Sequence, residues 1–164
     1  MSKITYRPER PDDAPLIDAL IDRAFGPGRH AKAAERLRET NRLLPDLSMT
    51  AWDGDRLAGS VRLWPVKIGG EPVLFLGPIA VEAELRKHRI GQTLVELACE
   101  ASQKAGWRAV LLVGDAPYFG RVGFDAAPAK DVRMPGPVDQ RRVLLKPLRE
   151  GGADGLAGPV TAAL

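Results

Sequence analysis

The chain has 164 residues, of which 45% are apolar and 27% charged, and its formal net charge is +3. These values are ordinary for a globular protein, so they exclude a fibrous repeat and a disordered chain and fit one compact unit. The longest apolar runs, 73–76 and 109–113, are much shorter than the roughly 18 residues that a transmembrane helix needs. We therefore expect no membrane partner.

Residue types with special chemistry are few. The N-terminus lacks the long apolar stretch of a secretory signal, so we expect a cytoplasmic protein. Cys99 is the single cysteine and cannot form an internal disulfide, and His30 and His88 show no ligand spacing, so we predict no metal. Basic residues are scattered and aromatic residues few, which argues against a nucleic-acid partner.

The first third of the chain predicts a strand followed by two helices. Residues 5–7 form a short strand, and Pro11 with its acidic neighbours begins a helix. Apolar residues recur at helical spacing from Leu16 to Ala24, and a Gly-Pro-Gly sequence at 26–28 ends this helix. A second, less regular helix is predicted from His30 to about Leu44, before Pro45.

The middle of the chain predicts an antiparallel meander. Residues 48–53 and 56–68 flank an Asp-Gly-Asp turn, which is a hairpin signal. A second turn at 69–72 leads to a third strand at 73–81. These three strands should form consecutive neighbours in one sheet.

A β-α-β unit follows the meander. Apolar residues from Ile90 to Ala101 share one helical face, and Gly106 ends that helix. Residues 108–113 are a nearly continuous apolar strand of the kind that is buried on both faces. The strands at 73–81 and 108–113 should therefore lie parallel, with a right-handed crossover through the helix.

The C-terminal region is less regular. A short helix begins at Asp115 and ends near Arg121, and a last strand covers 142–145. We assign residues 1–149 to a single domain and 150–164 to a C-terminal tail, which either adds an edge strand or remains mobile.

The loop before the second long helix carries the clearest chemistry. Residues 86–91 read Arg-Lys-His-Arg-Ile-Gly and enter the helix directly from a strand. Unpaired N–H groups and the positive end of the helix dipole suit a phosphate, and Gly91 lets such a ligand approach the backbone closely. The alternative is that these charges only solvate a surface turn.

Two segments together resemble the GNAT family of N-acetyltransferases. Residues 76–91 are similar to its core motif, in which the loop reads Arg/Gln-x-x-Gly-x-Gly/Ala; Arg86 and Gly91 match, and Arg89 replaces the first glycine. Residues 114–124 resemble its Tyr-x-x-x-Gly-Phe segment. The resemblance implies a GNAT-like α/β (α+β) fold, with a mixed, mostly antiparallel sheet flanked by helices and one central β-α-β acyl-CoA-binding unit.

The resemblance also implies a mechanism and its binding residues. Acetyl-CoA is the expected cosubstrate, and a free primary amine on a small molecule or protein attacks its thioester directly. The pantetheine arm would pair with backbone groups of strand residues, and the pyrophosphate would be held by N–H groups of the loop. The expected coenzyme contacts are Ile79, Ala80, Val81, Arg86, Lys87, His88, Arg89, Ile90, Gly91, Gln92 and Phe119.

The catalytic residues are harder to assign. The family's usual tyrosine, a general acid for the departing thiolate, falls at Phe119, which has no proton to give. Tyr118 replaces it only if the short helix is rotated or shifted by one residue, because helical neighbours point about 100° apart. Asp115 is a candidate base with an alternative role as helix N-cap. Glu35 and His30 are further candidates, although surface placement is their more common fate.

Two other functions compete with that of an enzyme. Phe119 favours a non-catalytic acyl-CoA-binding sensor or interaction module as the alternative to an enzyme. A basic nucleic-acid-binding domain is the third hypothesis. The C-terminal strands could pair across a homodimer, although nothing in the sequence demands it.

Overall fold

The computed structural model describes residues 3–25, 37–38 and 41–163. The strands are β1 (Ile4–Pro8), β2 (Met49–Asp53), β3 (Arg56–Ile68), β4 (Glu71–Val81), β5 (Ala109–Val113), β6 (Val132–Arg133), β7 (Val143–Pro147) and β8 (Gly158–Ala162). The helices are α1 (Ala14–Phe25), α2 (Ile90–Lys104) and α3 (Ala116–Gly120). Short 3-10 segments cover Pro11–Asp13, Ala83–His88, Ala127–Ala129 and Gln140–Arg142.

The strands form a mixed sheet in the order β1-β2-β3-β4-β5-β7, with β8 pairing to both β3 and β6. Strands β1 to β4 are antiparallel neighbours, and β5 and β7 are also antiparallel. Strand β4 pairs with β5 in parallel, as the β-α-β pattern predicts. The expected mixed, mostly antiparallel sheet flanked by helices is therefore confirmed.

Strands β4 and β5 are paired over only a short distance, which leaves their C-terminal ends unpaired with each other. Its register joins Leu74 to Val110 and Phe75 to Leu111 and goes no further. On its other side β4 stays paired with β3 as far as Val81, with an irregularity between Val61 and Leu63. A gap therefore opens between the C-terminal ends of β4 and β5.

Helix α2 covers one face of the sheet at this gap. Its apolar side is buried with residues of β3, β4, β5 and α3; Ile90, Leu94, Val95 and Ala98 are all fully buried in this cluster. Burying side chains of this size stabilises the fold by about 1.5–3 kcal/mol each for Ile, Leu and Val. The first turn of α2 is thereby fixed against the sheet.

Helix α1 packs on the opposite face. Ile17, Leu20 and Ile21 are buried against Trp52, Leu57 and Ala80. A buried ion pair adds to this contact: Arg62 on β3 binds both carboxylate oxygens of Glu9 at 3.1 and 3.2 Å and Asp18 of α1 at 3.1 Å. Both the apolar and the charged contacts hold α1 on the sheet.

The predicted helix from His30 to Leu44 differs from the structure at its end. Residues 30–36 and 39–40 lie outside the described residues, and 41–44 are irregular instead of helical. The Asn41 amide donates to the Pro65 carbonyl at 2.6 Å, and the Leu44 N–H donates to the Leu63 carbonyl at 2.8 Å. The Leu44 N–H is bonded to β3 and so is not available for a helix, and the Asn41 side chain also ties this segment to β3.

The C-terminal residues are joined to the sheet. Strand β8 pairs with β3 through Val66, Lys67 and Ile68. Arg108 reinforces this arrangement, because its guanidinium donates to the carbonyls of Gly152 at 2.7 Å and Asp154 at 2.8 Å. In the part of the chain described above, no helix combines the length and the apolar character that crossing a membrane requires.

Candidate active site

The first turn of α2 lies at the edge of the gap, and its backbone N–H groups have no side-chain cap. Arg89 is its N-cap residue, with φ 56° and ψ 27°, and no side chain caps the turn. The first N–H groups of a helix have no partner within the helix and carry its positive dipole end. This turn is therefore suited to bind an anion through the backbone of Ile90, Gly91 and Gln92.

The Arg89 side chain folds back along this turn. Its Nε and Nη2 atoms donate to Oε1 of Gln92 at 3.0 and 2.8 Å. Gln92 is buried, with 5% of its surface exposed. The two side chains thus place a guanidinium beside the free N–H groups.

The preceding loop continues the same edge. The backbone of Arg86, Lys87 and His88 belongs to the 3-10 segment Ala83–His88, which leads into Arg89. Their side chains lie outside the described part of the structure, so the predicted contacts of those side chains stay predictions. The candidates His30 and Glu35 also lie outside the described residues.

The open side of β4 forms the wall of the gap. Val81, Ala80 and Ile79 pair with Gly59, Ser60 and Val61 of β3. On the side toward β5, the described strands give these three residues no ladder partner. A strand edge of this kind offers N–H and C=O groups to an extended ligand.

Tyr118 reaches the same place from α3. Its phenolic oxygen lies 2.8 Å from the point where a Cβ on Gly91 would stand, and Val81 lies 3.7 Å from that point. Burial raises the pKa of Tyr118 above its ordinary value, an effect that nearby Arg121 partly offsets. The hydroxyl therefore keeps its proton at neutral pH.

Phe119 points in a different direction. Its ring is 9% exposed, belongs to the main core and lies edge-on to Phe124, with 6.1 Å between centroids. It also fills the space above Gly114, where a Cβ would come within 2.5 Å of the ring. The coenzyme contact predicted for Phe119 stays a prediction, and the ring's observed contacts are with the core.

Asp115 caps α3. Its carboxylate accepts the backbone N–H of Tyr118 at 3.0 Å, which is the N-cap bond that the sequence offered as the alternative to a base. This bond holds the first turn of α3 and with it the backbone of Tyr118. The role of Asp115 as a base stays a prediction.

Glu82 is a buried acid that the sequence reasoning missed. It directly follows β4, is 8% exposed and forms ion pairs with Arg23 of α1 and Arg56 of β3. The signal was a glutamate immediately after a buried strand and before the basic loop. Among the described residues, no group of three or more His, Cys, Asp or Glu side chains could hold a metal ion.

Comparisons with known proteins find relatives along most of this chain. Residues 15–124 match the acetyltransferase (GNAT) family. The uncharacterized N-acetyltransferase YhbS of Escherichia coli K12 is 32% identical over 156 residues, covering 94% of this chain and 93% of that protein. The uncharacterized N-acetyltransferase YjhQ of the same strain is 30% identical over 129 residues, covering 76% and 71%.

Solved structures give the same result. The crystal structure of E. coli YhbS in complex with CoA has a TM-score of 0.84 and 29% identity, covering 99% of this chain and 91% of that chain. A GNAT family acetyltransferase from Brucella melitensis in complex with acetyl-CoA has a TM-score of 0.65 and 28% identity, covering 87% and 96%. The fold is thus similar to those of two proteins whose structures were solved with CoA or acetyl-CoA bound.

Proposed function

The chain belongs to the GNAT family of acetyltransferases, and we propose that it transfers the acetyl group of acetyl-CoA to a primary amine. The observation that carries the proposal is the convergence of three features at one gap. These are the free N–H groups at the start of α2, the unpaired edge of β4 at 79–81 and the hydroxyl of Tyr118. Together these features can bind an anion, pair with an extended arm and donate a proton.

The donor fits the gap by its chemistry. The N–H groups of Ile90, Gly91 and Gln92 bind its pyrophosphate, with the Arg89 guanidinium beside them. The edge of β4 at Ile79–Val81 pairs with the amides of its pantetheine arm, as an added strand would. When bound, the thioester supplies an activated acetyl group.

The chemical step needs charge stabilisation and a proton. An N–H group on β4 at 79–81 stabilises the negative charge that develops on the carbonyl oxygen as the amine attacks. The C–N bond forms first, the nitrogen gives one proton to water, and the tetrahedral adduct then breaks its C–S bond; a proton from water restores Tyr118 after the step. Tyr118 donates its proton to the departing sulfur, for which its raised pKa keeps it in the acid form.

The position of Tyr118 supports an enzyme over a non-catalytic module. The module hypothesis depended on Phe119, which lacks a hydroxyl at the family's tyrosine position. In this chain Phe119 is turned into the core and Tyr118 into the gap. The neighbouring residue can thus supply the missing acid.

Two measurements test the proposal. Isothermal titration with acetyl-CoA at moderate salt should show binding, and no binding at millimolar ligand would contradict both the enzyme and the module. Thiol release from acetyl-CoA over a panel of small amines, aminoglycosides and peptides should then exceed the rate without acceptor. Binding without release for every acceptor would favour the module.

We also propose that the protein acts in the bacterial cytoplasm and forms a homodimer. The relatives named above are bacterial, and acetyl-CoA is an intracellular metabolite. The strand-rich C-terminal region supports the homodimer, because strand edges can pair across two copies of a chain. Light scattering after size exclusion would give the mass of the assembly and decide between monomer and dimer.

A further inference from the structure

Glu82 stands where β4 becomes the coenzyme loop. Its backbone N–H donates to the Ala58 carbonyl at 2.9 Å, which among the described residues is the last backbone bond from this segment to β3. Its own carbonyl accepts the Leu85 N–H at 2.9 Å and so begins the 3-10 segment Ala83–His88. The direction in which the loop leaves the sheet is therefore set at this residue.

The Glu82 carboxylate joins the loop to two other elements. One oxygen accepts from Arg23, in the last turn of α1, and the other accepts from Arg56, at the start of β3, at 2.9 Å. Arg56 also binds Glu84, which lies within the 3-10 segment. One buried carboxylate thus connects α1, β3 and the loop.

The two arginines differ from their partner in exposure. The side chains of Arg23 and Arg56 are 60% and 53% exposed, whereas that of Glu82 is 10% exposed. If the charge of Glu82 is removed, both guanidinium groups can turn into water without a large cost in free energy. The main loss is the restraint on the loop.

We propose that Glu82 is a positioning residue for donor binding, which acts by holding the 83–89 backbone so that the N–H groups of residues 90–92 are placed to bind the pyrophosphate. This inference rests on the proposed function. An array of N–H donors binds an anion tightly only when it is preorganised, because ordering it during binding costs free energy. Glu82 orders the backbone that leads into these N–H donors before acetyl-CoA binds.

A matched control lies at the other end of α1. Asp13 is an equally buried carboxylate, with 7% of its side chain exposed, and it binds the Arg7 guanidinium at 2.7 and 3.0 Å. It directly precedes α1, whereas Arg23 lies in the last turn of that helix. Asp13→Asn therefore breaks an ion pair that lies more than two helical turns along α1 from Arg23.

The experiment compares CoA binding by the full-length wild type, Glu82→Gln, Glu82→Asp and Asp13→Asn, using isothermal titration. Misplaced ligand groups reduce binding and catalysis steeply, so we expect the Kd for CoA to rise about tenfold in Glu82→Gln. Glu82→Asp should recover part of this loss, and Asp13→Asn should bind as wild type. Pantetheine, which lacks the phosphates, should show no difference between the wild type and Glu82→Gln.

A second measurement covers the case in which Glu82→Gln does not fold. Arg56→Gln removes one arm of the ion pair at a half-exposed position, and it should weaken CoA binding by about threefold and speed amide exchange at 83–89.

The outcomes separate this inference from the proposed function. Wild-type affinity for CoA in both Glu82→Gln and Arg56→Gln would overturn the inference alone, as would an equal loss in Asp13→Asn. Absence of CoA binding by the wild type would overturn the proposed function, and the inference with it.

Discussion

The phenolic oxygen of Tyr118 lies 2.8 Å from the position that a Cβ on Gly91 would occupy. The Tyr118 side chain, from α3, therefore occupies the space that is left by the absent side chain of Gly91 in the first turn of α2. From the sequence, Gly91 was expected to make room for the ligand. In the structure it also makes room for the candidate acid.

The contact between Gly91 and Tyr118 gives the first prediction. In Gly91→Ala the new methyl group would displace the Tyr118 hydroxyl, since no Cβ tolerates an oxygen at 2.8 Å. We expect the kcat for thiol release to fall about tenfold, because a displaced acid no longer meets the sulfur. Steady-state kinetics on a responsive amine would measure this. An unchanged kcat would show that the hydroxyl position does not matter.

The second prediction concerns Tyr118 itself. Tyr118→Phe removes the proton donor, and we expect kcat to fall about tenfold to a hundredfold while the Kd for CoA stays the same. Tyr6→Phe, which alters the other tyrosine of the chain, on β1, is the matched control and should leave both values unchanged.

The pH dependence of the rate provides an independent check on Tyr118. Burial raises the pKa of Tyr118 above the ordinary phenol value of about 10. At any pH below about 10, loss of the Tyr118 proton should therefore not reduce the rate. A decline at lower pH that is missing in Tyr118→Phe would contradict this.

The third prediction separates strain from charge at Arg89. Its φ of 56° is a left-handed conformation that costs a non-glycine residue about 1 kcal/mol. Arg89→Gly removes both the strain and the guanidinium, whereas Arg89→Ala removes only the guanidinium. We expect both variants to bind CoA more weakly and with a shallower salt dependence, and only Arg89→Gly to regain stability. Unchanged or tighter binding in Arg89→Gly would mean that the side chain makes no useful phosphate contact.

The fourth prediction concerns Cys99, which is 3% exposed within the core. Burial raises the pKa of its thiol from 9.0 to about 11, with a smaller opposing effect of Lys146. The folded thiol stays neutral where the unfolded one ionises, so its contribution to stability is complete below pH 9 and is lost as the pH rises to about 11. One pKa unit corresponds to about 1.4 kcal/mol, so the free energy of unfolding should fall by up to about 3 kcal/mol.

Urea unfolding at pH 8, 9.5 and 10.5 would measure this loss. Cys99→Ala is the control, and its unfolding free energy should fall less steeply with pH than that of the wild type. Equal slopes would show that the thiol does not ionise on unfolding. The buried thiol should also react slowly with disulfide reagents, so it should not disturb a thiol-release assay.

Much of the fold was predictable because its signals are local. Apolar alternation and turn residues define β2, β3 and β4, and the switch to a helical period followed by an apolar strand defines α2 and β5. The segment at 41–44 was mispredicted because the Leu44 N–H bonds to the Leu63 carbonyl and the Asn41 side-chain amide bonds to the Pro65 carbonyl, partners about 20 residues away. Helical spacing does not reveal such long-range partners.

The candidate site likewise has a part that could be predicted from the sequence and a part that could not. The basic loop and its helix were visible as consecutive residues, and so was the resemblance to a family. Glu82 was missed because its importance lies in two ion pairs, with Arg23 and Arg56, that join residues far apart in the chain. The position of a single glutamate after a strand does not indicate which distant residues it pairs with.

The sequence by itself determined the family, the order of the elements and the basic loop proposed to bind the donor, because each depends on residues that are close in the chain. The tertiary structure decided which aromatic residue of α3 faces the gap. Neighbours on a helix point about 100° apart, so packing of Phe119 against Gly114 and Phe124 turns Tyr118 toward Gly91. The rotation of α3 is fixed by core packing, and the spacing of residues in the sequence does not reveal that packing.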